Sequence, residues 1–340
     1  MLSPDMLHVV AAYNNPRRYA VRPRLLLNHW LPPLLESGAR VTIAQHTIGA
    51  RAHDLDPEKD PILKHVNLVN IRGGAEQELW LQHALYNAAI ARLPEDAQYI
   101  CWQDTDIVHL QPSWVADALH MLQTHRVGQT WTHAIDLDPT GNVARNEWGN
   151  DVDRSFCAAW LAGDVRACNG AYAPNTTRAL LPESKDRDWR QHTGASWVIR
   201  RGPLQGIGRL LDWMIIGSGD YHMGHGFAGT LPELIEAGRA SGGYAPSYYR
   251  RLAEFASLCD VHIRQDIGCL PGTITHGWHG PKTSRFYGTR EDVMRDSGFD
   301  PDRDIALDVN GLPTLCGDNR KLRDGLRRYN RRRNEDSVDV

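Results

Sequence analysis

The chain has 340 residues, of which 41% are hydrophobic and 23% charged, and its formal net charge is −3. That length holds one large α/β domain or two smaller ones, with a core that needs no disulfide staples. The acid excess excludes a protein that merely coats nucleic acid, although it leaves room for a local nucleic-acid contact.

The six cysteines, Cys101, Cys157, Cys168, Cys259, Cys269 and Cys316, form no C-x-x-C pair. They read as plain thiols in a reducing compartment. Met1 to His8 lacks a basic region followed by an apolar run, so no signal peptide is expected. No apolar stretch approaches the ~20 residues of a membrane span. The expected location is the cytoplasm.

In chain order, Leu7 to Ala12 reads as a strand that ends in the loop signal Tyr13-Asn14-Asn15-Pro16. Arg24 to Leu35 reads as a helix bent at Pro32-Pro33 and stopping near Gly38. Val41 to Gln45 and Val66 to Ile71 are further strands. Leu79 to Leu93 has helical periodicity and is ended by Pro94. Tyr99 to Gln103 is a fourth strand that runs into Asp104-Thr105-Asp106, and Ser113 reads as the N-cap of a helix through Gln123. Asp136 to Arg190 reads as irregular loops over the sheet, Ala195 to Arg200 as a strand and Leu204 to Ile215 as a helix. The alternation predicts a mostly parallel sheet flanked by helices. In such sheets ligands bind at the carboxyl ends of the strands, where Tyr13 to Asn15 and Asp104 to Asp106 both fall.

Asp104 and Asp106 are the sharpest chemical signal. Two carboxylates two residues apart at a strand end hold a hard divalent cation such as Mg²⁺ or Mn²⁺. They also suit an Asp-rich turn. Asp104-Thr105-Asp106-Ile107-Val108 matches the D-x-D-x-[TV] pattern of haloacid-dehalogenase-type phosphatases as well, in which the first Asp is a nucleophile. That pattern normally follows the first strand of its domain, whereas here about three strands precede it. His276 and His279, three apart in His276-Gly277-Trp278-His279-Gly280, are candidates to complete a metal site. Lys282, Arg285, Tyr287 and Arg290 follow as a phosphate-gripping segment. Asp220, in Gly217-Ser218-Gly219-Asp220-Tyr221-His222-Met223, is the candidate general base, and Asp212 is a weaker one.

Taken together, these motifs resemble those of the GT-A-fold glycosyltransferases, and within them a family-2-like group found in phage and bacterial genomes. The resemblance runs over nearly the whole chain: Leu79-Trp80, Asn87, Leu93-Pro94, Trp102 to Asp106 with Pro112 and Trp114, Leu211 to Met223, His276 to Gly280, Arg285, Tyr287, Arg290 and Arg333-Asn334-Glu335-Asp336. It implies a GT-A (Rossmann-like) α/β fold with irregular acceptor-side insertions and a helical C-terminal segment. It implies a nucleotide-sugar-binding half, 1–125, and an acceptor-binding half, 126–340, in one continuous domain. Asp104 and Asp106 would bind the metal-diphosphate, Tyr13, Asn14 and Gln45 would lie near the nucleoside, Trp80 and Asn87 would belong with the donor, and Asp220 would be the acceptor-side base of an inverting transfer. Where the family often carries a Lys-Glu pair after Leu-Trp, this chain has Gln82-His83, which leaves its donor preference open.

The resemblance implies a nucleotide-sugar donor, a UDP-sugar first, with Mn²⁺ or Mg²⁺. The phage members point to hydroxymethyl pyrimidines in DNA as acceptor. Arg320, Lys321, Arg323, Arg327, Arg328, Arg331, Arg332 and Arg333 would grip phosphates, and Tyr248, Tyr249 and Trp189 would stack on an extruded base. A surface polysaccharide is the alternative acceptor. A phosphatase and a non-catalytic nucleic-acid-binding module are the rival functions.

Overall fold

The computed structural model describes residues 2–144, 152–163, 191–287 and 289–339. Trp189 and Cys168, together with part of the expected loop region, lie outside these residues. The described strands are β1 (Leu7–Asn14), β2 (Arg40–Ile48), β3 (Asn67–Gly73), β4 (Tyr99–Gln103), β5 (Ile107–His109), β6 (Val127–Gln129), β7 (His133–Asp136), β8 (Asp153–Ser155), β9 (Gln191–His192), β10 (Ser196–Arg200), β11 (Ile267–Cys269), β12 (Thr273–His276), β13 (Ile305–Leu307) and β14 (Pro313–Leu315). The helices used below are α1 (Val21–Leu25), α2 (Leu31–Glu36), α3 (Gln82–Ile90), α4 (Trp114–Thr124), α5 (Phe156–Leu161), α6 (Arg201–Gly206), α7 (Gly219–Phe227), α8 (Leu231–Ser241), α9 (Pro246–His262), α10 (Asp292–Asp296) and α11 (Arg320–Arg332).

The larger sheet has the order β11-β6-β10-β4-β1-β2-β3. Its pairings are parallel except for β10, which runs antiparallel to both β4 and β6. The expected mostly parallel α/β sheet is therefore what the chain forms. Helices cover both faces, so β1 is apolar on both. Val10 joins the core shared with α3 and the C-terminal helices, while Leu7, Val9, Ala11 and Tyr13 join the core under α2 and α4.

A smaller sheet, β5-β12-β7-β8-β9, stands at the carboxyl end of β4. Only Asp104, Thr105 and Asp106 separate β4 from β5, so the acidic motif is the corner joining the two sheets. Strands from beyond residue 125 enter both sheets, β10 beside β4 and β12 beside β5. The two expected halves thus interleave through their strands.

Three expected helices differ in extent. The segment from Val21 to Glu36 is α1, a π turn at Leu26–Trp30 and α2. Pro32 and Pro33 offer no N–H to the preceding carbonyls, which accounts for the widened turn before them. The helix expected from Leu79 starts only at Gln82, because the Trp80 backbone N–H donates to the Ile215 carbonyl (2.9 Å) instead of to a helical partner. The helix expected over Leu204 to Ile215 is only α6. Gly208 follows with φ 79°, and Leu210 to Ile216 runs on as a buried, non-helical segment toward α7. Among the described residues no helix is long and apolar enough to cross a membrane.

Gly128 and Gly268 face each other across the β6–β11 pair. A Cβ on Gly128 would stand 2.5 Å from the Gly268 carbonyl oxygen and 2.7 Å from the Met121 methyl. Gly128→Val is expected to cost about 1–3 kcal/mol by overpacking, read as a lowered midpoint in denaturant unfolding with an unchanged slope.

Candidate functional site

At the carboxyl ends of β1 and β4 lies a cavity of about 960 Å³, bounded by both sheets, α3, the start of α7, the 282–291 segment and the C-terminal tail. Its volume suits a ligand larger than a single sugar.

The smaller sheet assembles the centre of the cavity. Asp106 precedes β5, and its carbonyl accepts from the Gly277 N–H (2.7 Å) just after β12. His276 ends β12, and His279 follows one turn later. The His279 Nε2 lies 3.1 Å from Asp106 Oδ2, His276 Nε2 lies 3.7 Å from the same oxygen, and the two Nε2 atoms are 3.4 Å apart. All three residues offer ligand atoms to one point. The other carboxylate oxygen, Asp106 Oδ1, is buried and has no hydrogen-bond partner. Leaving a buried carboxylate oxygen unmet costs free energy, and a divalent cation would satisfy it. Adjacent ligands on an octahedral ion with bonds of ~2.1 Å stand roughly 3 Å apart, close to the spacing found. Burial would raise the Asp106 pKa, but His276, His279 and Arg285 outweigh it and hold the carboxyl well below its usual range. Burial holds His279 down, to about 4, so its ring is neutral and able to ligate at physiological pH.

Asp104 stands outside this group of three. Its Oδ1 accepts from the Tyr86 hydroxyl (2.8 Å) and from Gln82 Nε2, both one turn apart on α3. Burial, followed by the neighbouring charge of Asp106, pushes the carboxyl up to about 7. Asp220 lies in the first turn of α7 and lines the same cavity, accepting from the Thr193 hydroxyl at 3.1 Å. His83, driven down to about 4 by burial, lies behind it. Its ring would meet a Cβ on Gly219 at 2.6 Å, so only glycine fits between the imidazole and the helix start.

The phosphate-gripping candidates divide. Arg285 is buried, and its Nη1 donates to the Tyr287 hydroxyl at 3.3 Å. Arg290 donates to the Ser218 hydroxyl (2.9 Å) and stacks its guanidinium 5.0 Å from the Tyr287 ring centre. Neither arginine is ion-paired with a carboxylate among the described residues, and the Nε of each is buried without a partner. Lys282, in contrast, is committed to Asp136 and lies 3.7 Å from Asp153.

The residues expected near the nucleoside and donor also divide, by strand alternation. Asn14 and Trp80 line the cavity; Tyr13, Gln45 and Asn87 do not. Side chains alternate along β1, so Ala12 and Asn14 face the cavity while the Tyr13 hydroxyl turns away to Asp54 (3.0 Å). Gln45 is the register partner of Tyr13 and shares its direction. It is fully buried, bonded to Leu55 and Asn70. Asn87 holds Leu210 and Asp212 on the far side of α3. The Asp212 carboxyl is thereby occupied by Asn87 and Arg209. Tyr248 and Tyr249, expected to stack on a base, are buried in the core, where Tyr248 stacks on Tyr244 at 4.0 Å. The α9 helix turns these rings inward.

Arg22 carried no expected role, and Arg333, expected to grip phosphates with the basic C-terminal segment, is instead buried against Glu335. Arg22, Glu335 and Arg333 form an ion network. Glu335 is 1% exposed and accepts from Arg22 Nη2 (2.7 Å) and Arg333 Nε (2.6 Å). Arg333 also lies 4.8 Å over the Trp80 ring. The Asp336 carboxylate accepts from the Ala20 and Val21 N–H groups, so the tail caps α1. Glu335 was visible only as part of a terminal motif. Gln82 and Tyr86, at i and i+4 beside the acidic motif, were the missed pair that helical spacing would have found.

No protein-family model matches the chain, and no curated protein matches it. Among solved structures it is similar to a mannosyltransferase from Pyrobaculum calidifontis in complex with GDP-mannose and Mn²⁺, at 11% identity and TM-score 0.39, over 88% of this chain and 65% of that one. It is similar to mouse xyloside xylosyltransferase 1 in its apo form, at 9% identity and TM-score 0.30, over 78% of this chain and 84% of that one. It is also similar to the galactosyltransferase LgtC in complex with donor and acceptor sugar analogues, at 11% identity and TM-score 0.28, over 86% of this chain and 96% of that one. Each is a glycosyltransferase by name. The likeness is one of fold, at TM-scores below 0.5, and the chemistry assigned below rests on the cavity itself.

Mn²⁺ is expected to raise the melting temperature of the wild type, by mass action equivalent to about 2.7 kcal/mol at a hundredfold excess over Kd. Asp106→Ala is expected to abolish that shift in a thermal-shift titration.

Proposed function

We propose that the protein is a metal-dependent glycosyltransferase that moves a sugar from a nucleotide-sugar donor to a hydroxyl acceptor. The observation that carries this reading is the pairing, in one cavity, of the Asp106–His276–His279 group and its unmet carboxylate oxygen with two arginines, the buried Arg285 and the half-buried Arg290, that make no ion pair with a carboxylate among the described residues. A donor set of one carboxylate and two imidazoles suits Mn²⁺ better than Mg²⁺, which favours oxygen ligands. When bound, the cation would neutralise charge on the donor's diphosphate. Arg285 and Arg290 would bind the same phosphates through charge-assisted hydrogen bonds. Asp104, oriented by Tyr86 and Gln82, suits contact with donor hydroxyls.

Asp220, across the cavity, would accept the acceptor hydroxyl's proton as that oxygen bonds to the sugar's anomeric carbon and the carbon–oxygen bond to the diphosphate breaks. This arrangement supports an inverting outcome. The phosphatase alternative is disfavoured because Asp104 follows the fourth strand in chain order, not the first of its domain, and its Oδ1 is already held by Tyr86 and Gln82.

For the acceptor, the exposed side of α11 retains the reading of hydroxymethyl pyrimidines in DNA. Arg320, Lys321, Arg328, Arg331 and Arg332 are exposed there, while Leu322, Leu326 and Tyr329 face the core. A glycan acceptor is the alternative, and the buried positions of Tyr248 and Tyr249 remove two of the stacking partners that favoured DNA.

A screen of UDP-, GDP- and other nucleotide sugars with Mn²⁺ is expected to give one donor that is turned over. Asp220→Asn is expected to lower kcat by about 10²–10⁴-fold with donor affinity retained. No binding of any nucleotide sugar by the Mn²⁺-loaded protein would remove the transferase reading. With a DNA acceptor, duplex binding is expected to weaken steeply between 50 and 200 mM salt, as measured by fluorescence anisotropy; indifference to salt, or no binding, would leave the glycan reading.

A further inference from the structure

We propose that Asp136 and Lys282 are positioning residues for the metal ligand His276, and that Lys282 serves the metal group instead of gripping donor phosphate. This rests on the reading of Asp106, His276 and His279 as a metal site.

Strand pairing creates the contact. In the parallel β7–β12 pair, His276 lies in register with Asp136, each the last residue of its strand. His276 Nδ1 lies 2.8 Å from Asp136 Oδ1, while its Nε2 points to the other side, toward Asp106 and His279. A carboxylate accepting from Nδ1–H fixes both the ring's rotation and the tautomer that leaves Nε2 free to ligate.

The second oxygen of Asp136 is also taken. Oδ2 receives Lys282 Nζ from the 3-10 turn Lys282–Arg285, and the same ammonium stands 3.7 Å from Asp153 at the start of β8. The chain of contacts is therefore Asp106, His276, Asp136, Lys282, Asp153, across four neighbouring segments of the smaller sheet and its following turn.

Because Lys282 is held by two carboxylates, its charge is neutralised where it stands. Arg285 and Arg290 are the cations left to meet a phosphate. The spacing in sequence suggests one phosphate-binding run from 282 to 290, but the fold divides it between two tasks.

The test is Mn²⁺ binding without nucleotide, read from the free-ion EPR signal, on wild type, Asp136→Ala, Asp136→Asn, Lys282→Met and the Asp136→Ala/Lys282→Met double variant. Metal-free thermal midpoints monitor folding. Asp136→Ala is expected to weaken Mn²⁺ about 10–100-fold, and Asp136→Asn, which keeps an acceptor oxygen for Nδ1–H, to weaken it less. Lys282→Met is expected to weaken Mn²⁺ severalfold in the wild type and not further in the Asp136→Ala background, the non-additivity expected of one connected unit.

Mn²⁺ binding by wild type with unchanged affinity in Asp136→Ala overturns the proposal. So does a Lys282→Met variant that binds Mn²⁺ normally but loses affinity for a nucleoside diphosphate, the signature of a phosphate contact. Failure of the wild type itself to bind Mn²⁺ overturns the metal reading beneath it.

Discussion

The site is organised around one half-buried carboxylate, Asp106, at the corner between two sheets, whose Oδ1 is shut off from solvent. A carboxylate oxygen withdrawn from water must be met by charge or hydrogen bonds. Here one oxygen faces two imidazoles and the other faces nothing. The imidazoles reach Asp106 because β12 pairs with β5, and the β5–β12 pairing exists because the chain turns out of the larger sheet within three residues of β4. The smaller sheet is thus what brings residues separated by about 170 positions in sequence to one point.

Cations and carboxylates line the cavity together: Arg22, Lys282, Arg285, Arg290 and Arg333 stand among Asp106, Asp136, Asp153, Glu291 and Glu335, and Asp104 and Asp220 line it beside α3 and α7. Most of the cations are balanced in place: Arg22 and Arg333 by Glu335, and Lys282 by Asp136 and Asp153. The carboxylate of Glu335 is held well below its usual range, since Arg22 and Arg333 outweigh the opposing effect of burial. That tail carboxylate ties the end of the chain to α1 and holds Arg333 over Trp80. Arg285 and Arg290, which make no ion pair with a carboxylate among the described residues, mark where an anion would be met with the least reorganisation.

Neutral buried histidines frame the other side. Burial lowers His83 to about 4 and His225 to about 3, so these two rings are uncharged at physiological pH. They supply shape and polarity beside Asp220 without adding positive charge near an acceptor hydroxyl. Gly219 permits the close approach of His83 to the start of α7, and the position of Asp220 depends on that approach.

The sequence by itself determined the parts that local physics controls. Apolar runs and proline or glycine stops marked β1 to β4, α4 and β10. The acidic pair at a strand end, the two histidines three apart and the run of cations after them marked the chemistry. Strand alternation was available too, and it explains why Asn14 reaches the cavity while Tyr13 does not. Only the tertiary structure decided which of these residues meet. The register of β12 between β5 and β7 selected Asp106, His276 and His279 as one group, turned Asp104 to Tyr86 and Gln82, and set Lys282 on Asp136. Register between distant strands depends on packing over the whole sheet, and no short-range pattern in the chain encodes it.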